Sequence, residues 1–307
     1  WEILEAFQDA AEQAGIPKVS DFNRGTNEGS SYFDVNQKRG IRWNTSKAFL
    51  RPALERKNLE VRTNAHVRRL IISEGRVTGV EYERDGKIET VYANRETVLS
   101  AGAVGSPQIL ELSGIGRGDI LQQYGITQTL DSPQVGENLQ DHLQLRCAFK
   151  VSGIKTLNEK ASSLIGKASI ALEYLFNQSG PMSMAPSQLG IFTRSDESYE
   201  TPNLQYHVQP LSLEKFGDPV HPFPAFTASV CNLRPQSRGS IHITSPNHTT
   251  QPAIAPNYLS ADADKKVAAD SIRLTRKIAA QPALSAYSPE EFKPGPSYDS
   301  EEDLVRA

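Results

Sequence analysis

The side chains of this 307-residue sequence that could do chemistry gather in two stretches, Val98–Gly116 and Val135–His142, where glycines stand among hydroxyl, amide and acidic groups. In the first, the apolar run from Val98 breaks into Gly102 and Gly105, the pattern of a buried strand entering a tight turn. Ser106 is placed to cap a helix, Pro107 suits its first turn, and Gln108 to Leu112 carry an apolar face until Gly114 ends it. A strand, glycine turn and helix present free backbone N–H groups where no Cβ holds a ligand away, which suits an anionic or nucleotide group. By pattern alone the unit is either such a cradle or an ordinary strand-to-helix connection. The second stretch sets Asn138, Asp141 and His142 in one loop. A single His or Asp there is more often a satisfied structural residue; the density of polar groups after a glycine turn is what points to binding.

The elements around these stretches follow from periodicity. Ile3, Leu4, Phe7, Ala10 and Ala11 recur at helical spacing until Gly15, so the chain opens on an amphipathic helix. Val19 to Gly40 reads as a long ordered loop, Thr45 to Arg56 as a helix disturbed by Pro52, and Leu59 to Thr63 as a strand. Ala65–Ile72, Val77–Glu83 and Lys87–Val91 form an antiparallel meander, with Asp85-Gly86 supplying a tight hairpin turn. The meander leads into the Val98 strand, an insertion ahead of a nucleotide-type unit. A short helix is expected over Asp119–Tyr124, stopped by Gly125.

The two stretches together resemble the glucose-methanol-choline (GMC) flavin oxidoreductases. Gly102 to Gly116 has the form Gly-Ala-x-x-Ser-Pro-x-Ile-Leu-x-x-Ser-Gly-Ile-Gly of that family's second signature, and Val135 to His142 resembles its Val-Gly-x-Asn-Leu-Gln-Asp-His loop. Asp21-Phe22-Asn23, Leu59–Val67 and Arg234-Pro235-x-Ser237-Arg238-Gly239 extend the likeness. The resemblance implies FAD as cofactor and hydride transfer from an alcohol C–OH carbon to flavin N5. It implies that the Val67 backbone meets the adenine, that Ala101, Gly102 and Ser106 lie along the adenosine and ribose, and that Asn138, Leu139, Asp141 and His142 run near the flavin. His142 fixes the loop by hydrogen bonds as readily as it touches the cofactor, and it is given no catalytic role. The family's Gly-x-Gly-x-x-Gly turn is not in this sequence, and its catalytic His is expected beyond the C-terminus. The chain therefore resembles a central portion of such an alcohol dehydrogenase or oxidase, expected to be inactive on its own, and it opens at Trp1 without an initiator Met. A non-catalytic fragment or binding module is the alternative reading; a nicotinamide dehydrogenase is disfavoured.

The expected architecture is mixed, α/β plus α+β. Residues 1–144 would form a partial, Rossmann-like FAD-binding domain carrying the antiparallel meander, and residues 145–307 a substrate domain of antiparallel sheet backed by helices. Its strands are expected at Leu145–Val151, Ser187–Thr193, Leu204–Gln209, Ala225–Leu233 and Ser240–Thr244, with helices at Leu164–Phe176 and Asp262–Gln281. Ser288–Ser300 reads as a surface loop before a short helix at Glu301–Arg306. The proline-rich stretch Leu211–Pro224 is a candidate rim or lid. His207 and His221 have no further ligand at metal spacing, so no metal is assigned.

Gln188 bears on the substrate. By resemblance it stands where choline-oxidising members carry a Glu that would pair with a trimethylammonium group, and an amide lacks that charge. A neutral primary or secondary alcohol is then expected, unless a one-residue shift turns Gln188 to the core or solvent. The electron acceptor is oxygen or a quinone. A net charge of −3 with no basic excess speaks against nucleic acid. No apolar run approaches the ~20 residues that cross a bilayer. Two isolated cysteines, Cys147 and Cys231, suit a reducing compartment. The expected location is cytoplasmic, with peripheral membrane attachment of the parent enzyme left open.

Overall fold

The computed structural model describes residues 1–215 and 217–306; Phe216, inside the stretch Leu211–Pro224, and Ala307 lie outside the described residues. In chain order the first elements are α1 (Glu2–Gln13), β1 (Gly29–Tyr32), β2 (Gln37–Lys38), β3 (Ile41–Arg42), a π-helical turn over Ser46–Leu50 and α2 (Arg51–Ala53). There follow β4 (His66–Ser73), β5 (Arg76–Arg84), β6 (Lys87–Tyr92), α3 (Gly102–Leu112), β7 (Ile115–Gly116), α4 (Gly118–Gln123) and β8 (Leu130–Asp131). The next are β9 (Leu145–Lys150), α5 (Leu157–Ser162), α6 (Leu164–Asn177), β10 (Leu189–Thr193), β11 (Leu204–Gln209) and β12 (Ala225–Asn232). The chain closes with β13 (Ser240–His242), β14 (Ala253–Ala255), α7 (Asp262–Ala279), α8 (Pro282–Ser285), β15 (Glu290–Lys293) and α9 (Glu301–Arg306).

These elements group into two compact units, each built from separate segments. One comprises Trp1–Ala53, His142–Arg234 and Asp262–Ala307; the other comprises Leu54–Asp141 and Pro235–Ala261. The expected domains 1–144 and 145–307 are contiguous, whereas in these units residues 1–53 pack with the later segments and 235–261 with the earlier ones. The reason is strand pairing and helix docking between parts of the chain far apart in sequence.

In the first unit six antiparallel strands are ordered β1-β10-β11-β12-β9-β15. Alternation assigns their faces: Leu189 and Ile191 turn to the helical side, Gly190 and Phe192 to the other. On the helical side Ile3 and Phe7 of α1 and Val267 and Ile272 of α7 pack with Leu204, Tyr206, Phe226 and Val230 in one core. The Tyr206 hydroxyl, fully buried, donates to Ser271 O at 3.1 Å and lies 3.0 Å from Thr275 Oγ1, so the largest core side chain leaves no polar atom unpaired. Burial also pushes the Cys147 thiol up to about 12, which keeps it un-ionised. The edges depart from expectation. Gly29–Tyr32 of the supposed loop is strand β1, and the supposed surface loop after Ser288 contains strand β15, held by Arg276 through Glu291 at 2.8 and 2.9 Å. α6 does not back this sheet with its apolar residues: Ile165, Leu172 and Phe176 are exposed.

In the second unit the meander β4-β5-β6 forms as expected, and Asp85 and Gly86 both take positive φ, +51° and +72°, at its tight turn. β13 pairs with β14 and belongs to this unit, not to the six-stranded sheet as the strand assignment had it. Leu59–Thr63 is not a strand; no described strand lies beside it, and Val61 is exposed. The same holds for Val98, which is exposed in an irregular segment. α3 starts at Gly102, four residues before the expected cap, so Ser106 and Pro107 stand inside it.

Candidate functional site

In the second unit, Ala103, Ser106, Pro107 and Leu110 share one face of α3, as their spacing of three, one and three residues requires. Opposite them runs Val135–Gln140, and the two walls, with Ile241, line an open cavity of about 390 Å³. α3 has no side-chain cap, so its first N–H groups have no side-chain acceptor. Pro107 has no N–H to give the Ala103 carbonyl, which leaves that acceptor beside the cavity. Gly102 has φ +79°, and a Cβ there would project into open space. Positive φ is the conformation that glycine adopts without strain.

The opposing loop is held by its own side chains. Asn138, at φ +61°, accepts from Arg238 Nε at 2.9 Å, and Leu139 and Gly239 exchange two backbone hydrogen bonds of 2.9 Å. Gly136 packs so closely that a Cβ would overlap Ile241 O and stand 2.7 Å from His242 Nδ1. Asp141 accepts a short hydrogen bond from the Tyr258 hydroxyl, and that bond to an anion pushes the phenol up to about 12. A raised phenol pKa means that the folded state holds the proton longer. The stability from this bond is therefore present below pH 10 and is lost as pH rises towards 12. Tyrosinate absorbance followed during alkaline titration is expected to lose one late-titrating tyrosine in Tyr258→Phe; an unchanged titration would contradict the assignment.

Behind the cavity lies a group that the sequence reading missed. Glu111 is fully buried; its Oε1 is 2.7 Å from His242 Nδ1 and its Oε2 accepts the Ile243 N–H at 2.8 Å. His242 Nε2 lies 3.1 Å from Glu137, which accepts from Arg117 at 3.1 Å. The chain Glu111–His242–Glu137–Arg117 thus ties α3, β13 and the loop together. The available signal was an acidic residue set between Leu110 and Leu112, the only charged residue of α3.

The structure brings together Ser106, Asn138 and Leu139, but not all the residues singled out from sequence. Val67 sits on β4 opposite Tyr82, and Ala101 is the exposed residue before α3; neither lines the cavity. His142 falls in the first unit, where its Nε2 lies 3.1 Å from Leu233 O.

In that first unit, the sheet face turned away from the core carries a polar row across four strands, Gly190, His207, Ser229 and Arg146, at directly opposing positions. Burial, then the nearby His142, lowers the His207 pKa, so the ring is neutral at pH 7. His221 Nδ1 is 2.9 Å from Ser212 Oγ, and its ring stacks on Phe223. Among the described residues no group of three His, Cys, Asp or Glu side chains could hold a metal ion. The stretch expected as a rim or lid is pinned near both ends by buried Asn158, which donates to Ser212 O at 3.0 Å and to His221 O at 2.8 Å.

Gln188 precedes β10, and its side-chain carbonyl oxygen is buried with no hydrogen-bond partner. It borders a cavity of about 370 Å³ with Trp1, Lys160, Glu173, Gly180 and Met184 among its walls. The one carboxylate there, Glu173, is paired with Lys160 at 3.2 Å.

The GMC oxidoreductase family matches through its N-terminal part at residues 2–144 and its C-terminal part at residues 235–307. The chain belongs to the GMC oxidoreductase family. It is 42% identical over 302 residues to an oxygen-dependent choline dehydrogenase of Photobacterium profundum, covering 98% of this chain and 53% of that protein. It is 36% identical over 293 residues to the protein of the same name from Vibrio vulnificus, covering 95% and 52%. The chain spans about half the length of the curated relatives it matches. Pyridoxine 4-oxidase from Mesorbium loti superposes with a TM-score of 0.83 at 26% identity, over 98% of this chain and 56% of that one. A formate oxidase shares the fold at a TM-score of 0.88 and 22% identity, over 99% and 57%.

Proposed function

We propose that this chain serves an FAD-dependent oxidoreductase acting on the CH–OH group of a neutral alcohol. The observation that carries the reading is the cavity between α3 and Val135–Gln140, with its uncapped helix start, the Ser106 hydroxyl and the Asn138 amide. These residues fit the nucleotide portion of FAD: Gly102 leaves space beside the helix start, and Ser106 and Asn138 supply hydrogen-bonding groups of the kind a ribose needs. Leu139 belongs to that wall; Ala101, Asp141 and the Val67 backbone stand outside it, and by the family resemblance the Val67 backbone is assigned to the adenine. When bound, FAD supplies the hydride acceptor, at flavin N5. The chain's own share is to hold that group and the alcohol in register and to keep water out; no residue here is given the role of base.

The substrate class rests on Gln188. Gln188 is a neutral amide bordering the cavity, and the neighbouring Glu173 is already paired with Lys160. Neither offers the free negative charge that a quaternary ammonium requires. The name of the curated relatives favours oxygen over a quinone as electron acceptor. A cytoplasmic enzyme attached peripherally to a membrane is in keeping with the described helices, none of which is long and apolar enough to cross one.

The test is substrate preference. Wild type is expected to prefer small neutral alcohols, whereas Gln188→Glu raises kcat/KM for choline relative to them by about tenfold or more, the equivalent of ~1.4 kcal/mol. Choline preferred by wild type, or a ratio unmoved by Gln188→Glu, would reject the assignment.

A further inference from the structure

α6 is turned the wrong way round for a helix whose apolar face serves a core. Leu164, Ile165, Leu172, Leu175 and Phe176 are between 52% and 85% exposed, whereas Ile170 is its buried residue. At 100° per residue these five, with Ala168, fall within an arc of about 120°, a stripe running about 18 Å along the helix. Neither charged residue of α6 lies in the stripe: Lys167 projects to one side, and Glu173 is held by Lys160. A contiguous apolar face of this kind marks a surface that something covers.

The neighbouring segment gives the chemistry of the partner. Residues 35–53 contain five Lys or Arg and no Asp or Glu, in a chain of net charge −3. The β2–β3 hairpin meets the C-terminal end of α6. Tyr174 donates to Gly40 O at 3.4 Å, and Gln37 donates to Ser183 O. Its cations Lys38, Arg39 and Arg42 are exposed, and among the described residues none has a carboxylate within ion-pair distance; Lys38 instead lies 4.9 Å over the Trp43 ring. Phe49, 72% exposed, adds an aromatic side chain to the same segment.

We propose that this face, the apolar stripe of α6 with the cationic β2–β3 hairpin, docks on an anionic lipid surface. An apolar face seated at the acyl boundary beside Lys, Arg and Trp side chains at headgroup level is the arrangement of an interfacial helix. A second copy of this chain is the poorer occupant, because a symmetric contact sets the same unpaired cations against each other. The proposal gives a surface to the peripheral attachment named above and is independent of the redox reading, since vesicle binding and alcohol turnover are measured separately.

The experiment is co-sedimentation of the protein with vesicles of phosphatidylcholine alone and of phosphatidylcholine with about 30% phosphatidylglycerol. The expected result is pelleting with the anionic vesicles that weakens at high salt. Leu172→Glu with Phe176→Glu lowers partitioning about tenfold or more, and Arg39→Glu with Arg42→Glu brings it to the level on phosphatidylcholine. All four side chains are exposed, so far-ultraviolet circular dichroism is expected to be unchanged. Protein that stays in the supernatant, or binding that neither pair of substitutions reduces, overturns the proposal. So does self-association abolished by Phe176→Glu without vesicle binding, which assigns the face to a second copy.

Discussion

His242→Ala is expected to destabilise the unit containing α3 and β13 by about 1–3 kcal/mol, the range for leaving a buried polar atom without its hydrogen-bond partner. Glu111 has no exposed surface, and its carboxylate is satisfied by the imidazole at 2.7 Å and the Ile243 N–H at 2.8 Å. Without the ring, one carboxylate oxygen is left in an apolar surround with no donor. The same substitution frees Glu137, whose remaining partner is Arg117. The urea midpoint checks this, and the double variant Glu111→Leu/His242→Ala separates the causes. Removing both members is expected to recover most of the loss, because the buried carboxyl oxygen left without its partner, and not the missing contact, carries the cost. A loss below about 1 kcal/mol for His242→Ala would mean that Glu111 is not relying on the ring.

Gly136→Ala is expected to be the most damaging single-methyl change at the cavity. The position has φ +81°, which costs a side chain about 1–2 kcal/mol, and the new Cβ would overlap the Ile241 carbonyl, adding an overpacking cost of about 1–3 kcal/mol. Gly86→Ala is the comparison. Its φ is +72° but nothing lies within 4 Å of the new atom, so it should lose the conformational part alone. Because Gly136 O accepts from Ile241 N at 2.6 Å, relieving the overlap separates the loop Val135–Gln140 from β13. Gly136→Ala should therefore also weaken FAD retention, which Gly86→Ala should not. Equal losses in the two variants, in urea and in flavin retention, would remove the cavity from the account.

How much was legible in the sequence depends on how local the cause was. The meander and its Asp85-Gly86 turn, the amphipathic α1 and the central strands β9 to β12 were legible, because alternation, helical spacing and turn chemistry are written in adjacent residues. The edge strands were not. β1 is Gly-Ser-Ser-Tyr and β15 is Glu-Glu-Phe-Lys, segments with little strand propensity that become strands because β10 and β9 present open edges. Leu59–Thr63 shows the converse: its residues favour a strand, but no described strand lies beside it. Propensity proposes a strand; only a neighbour makes one.

For the candidate site the same rule holds. Ser106, Asn138 and Leu139 were found because glycine and polar residues mark their segments. The network that holds those segments was not found, since His242 lies 131 residues from Glu111. α6 misled for a different reason. Helical spacing of Ile165, Leu172 and Phe176 establishes that an apolar face exists, but not which way it points.

The measurement that tests the central claim most directly is the visible absorption spectrum of the purified protein, titrated with FAD and then given a neutral primary alcohol without oxygen. The account predicts flavin bands that travel with the protein, are weakened by Gly136→Ala and, in the whole enzyme that also supplies the base, bleach on addition of the alcohol but not of choline. Flavin that separates from the protein, with a spectrum the alcohol leaves unchanged, would contradict it and favour a binding module without cofactor.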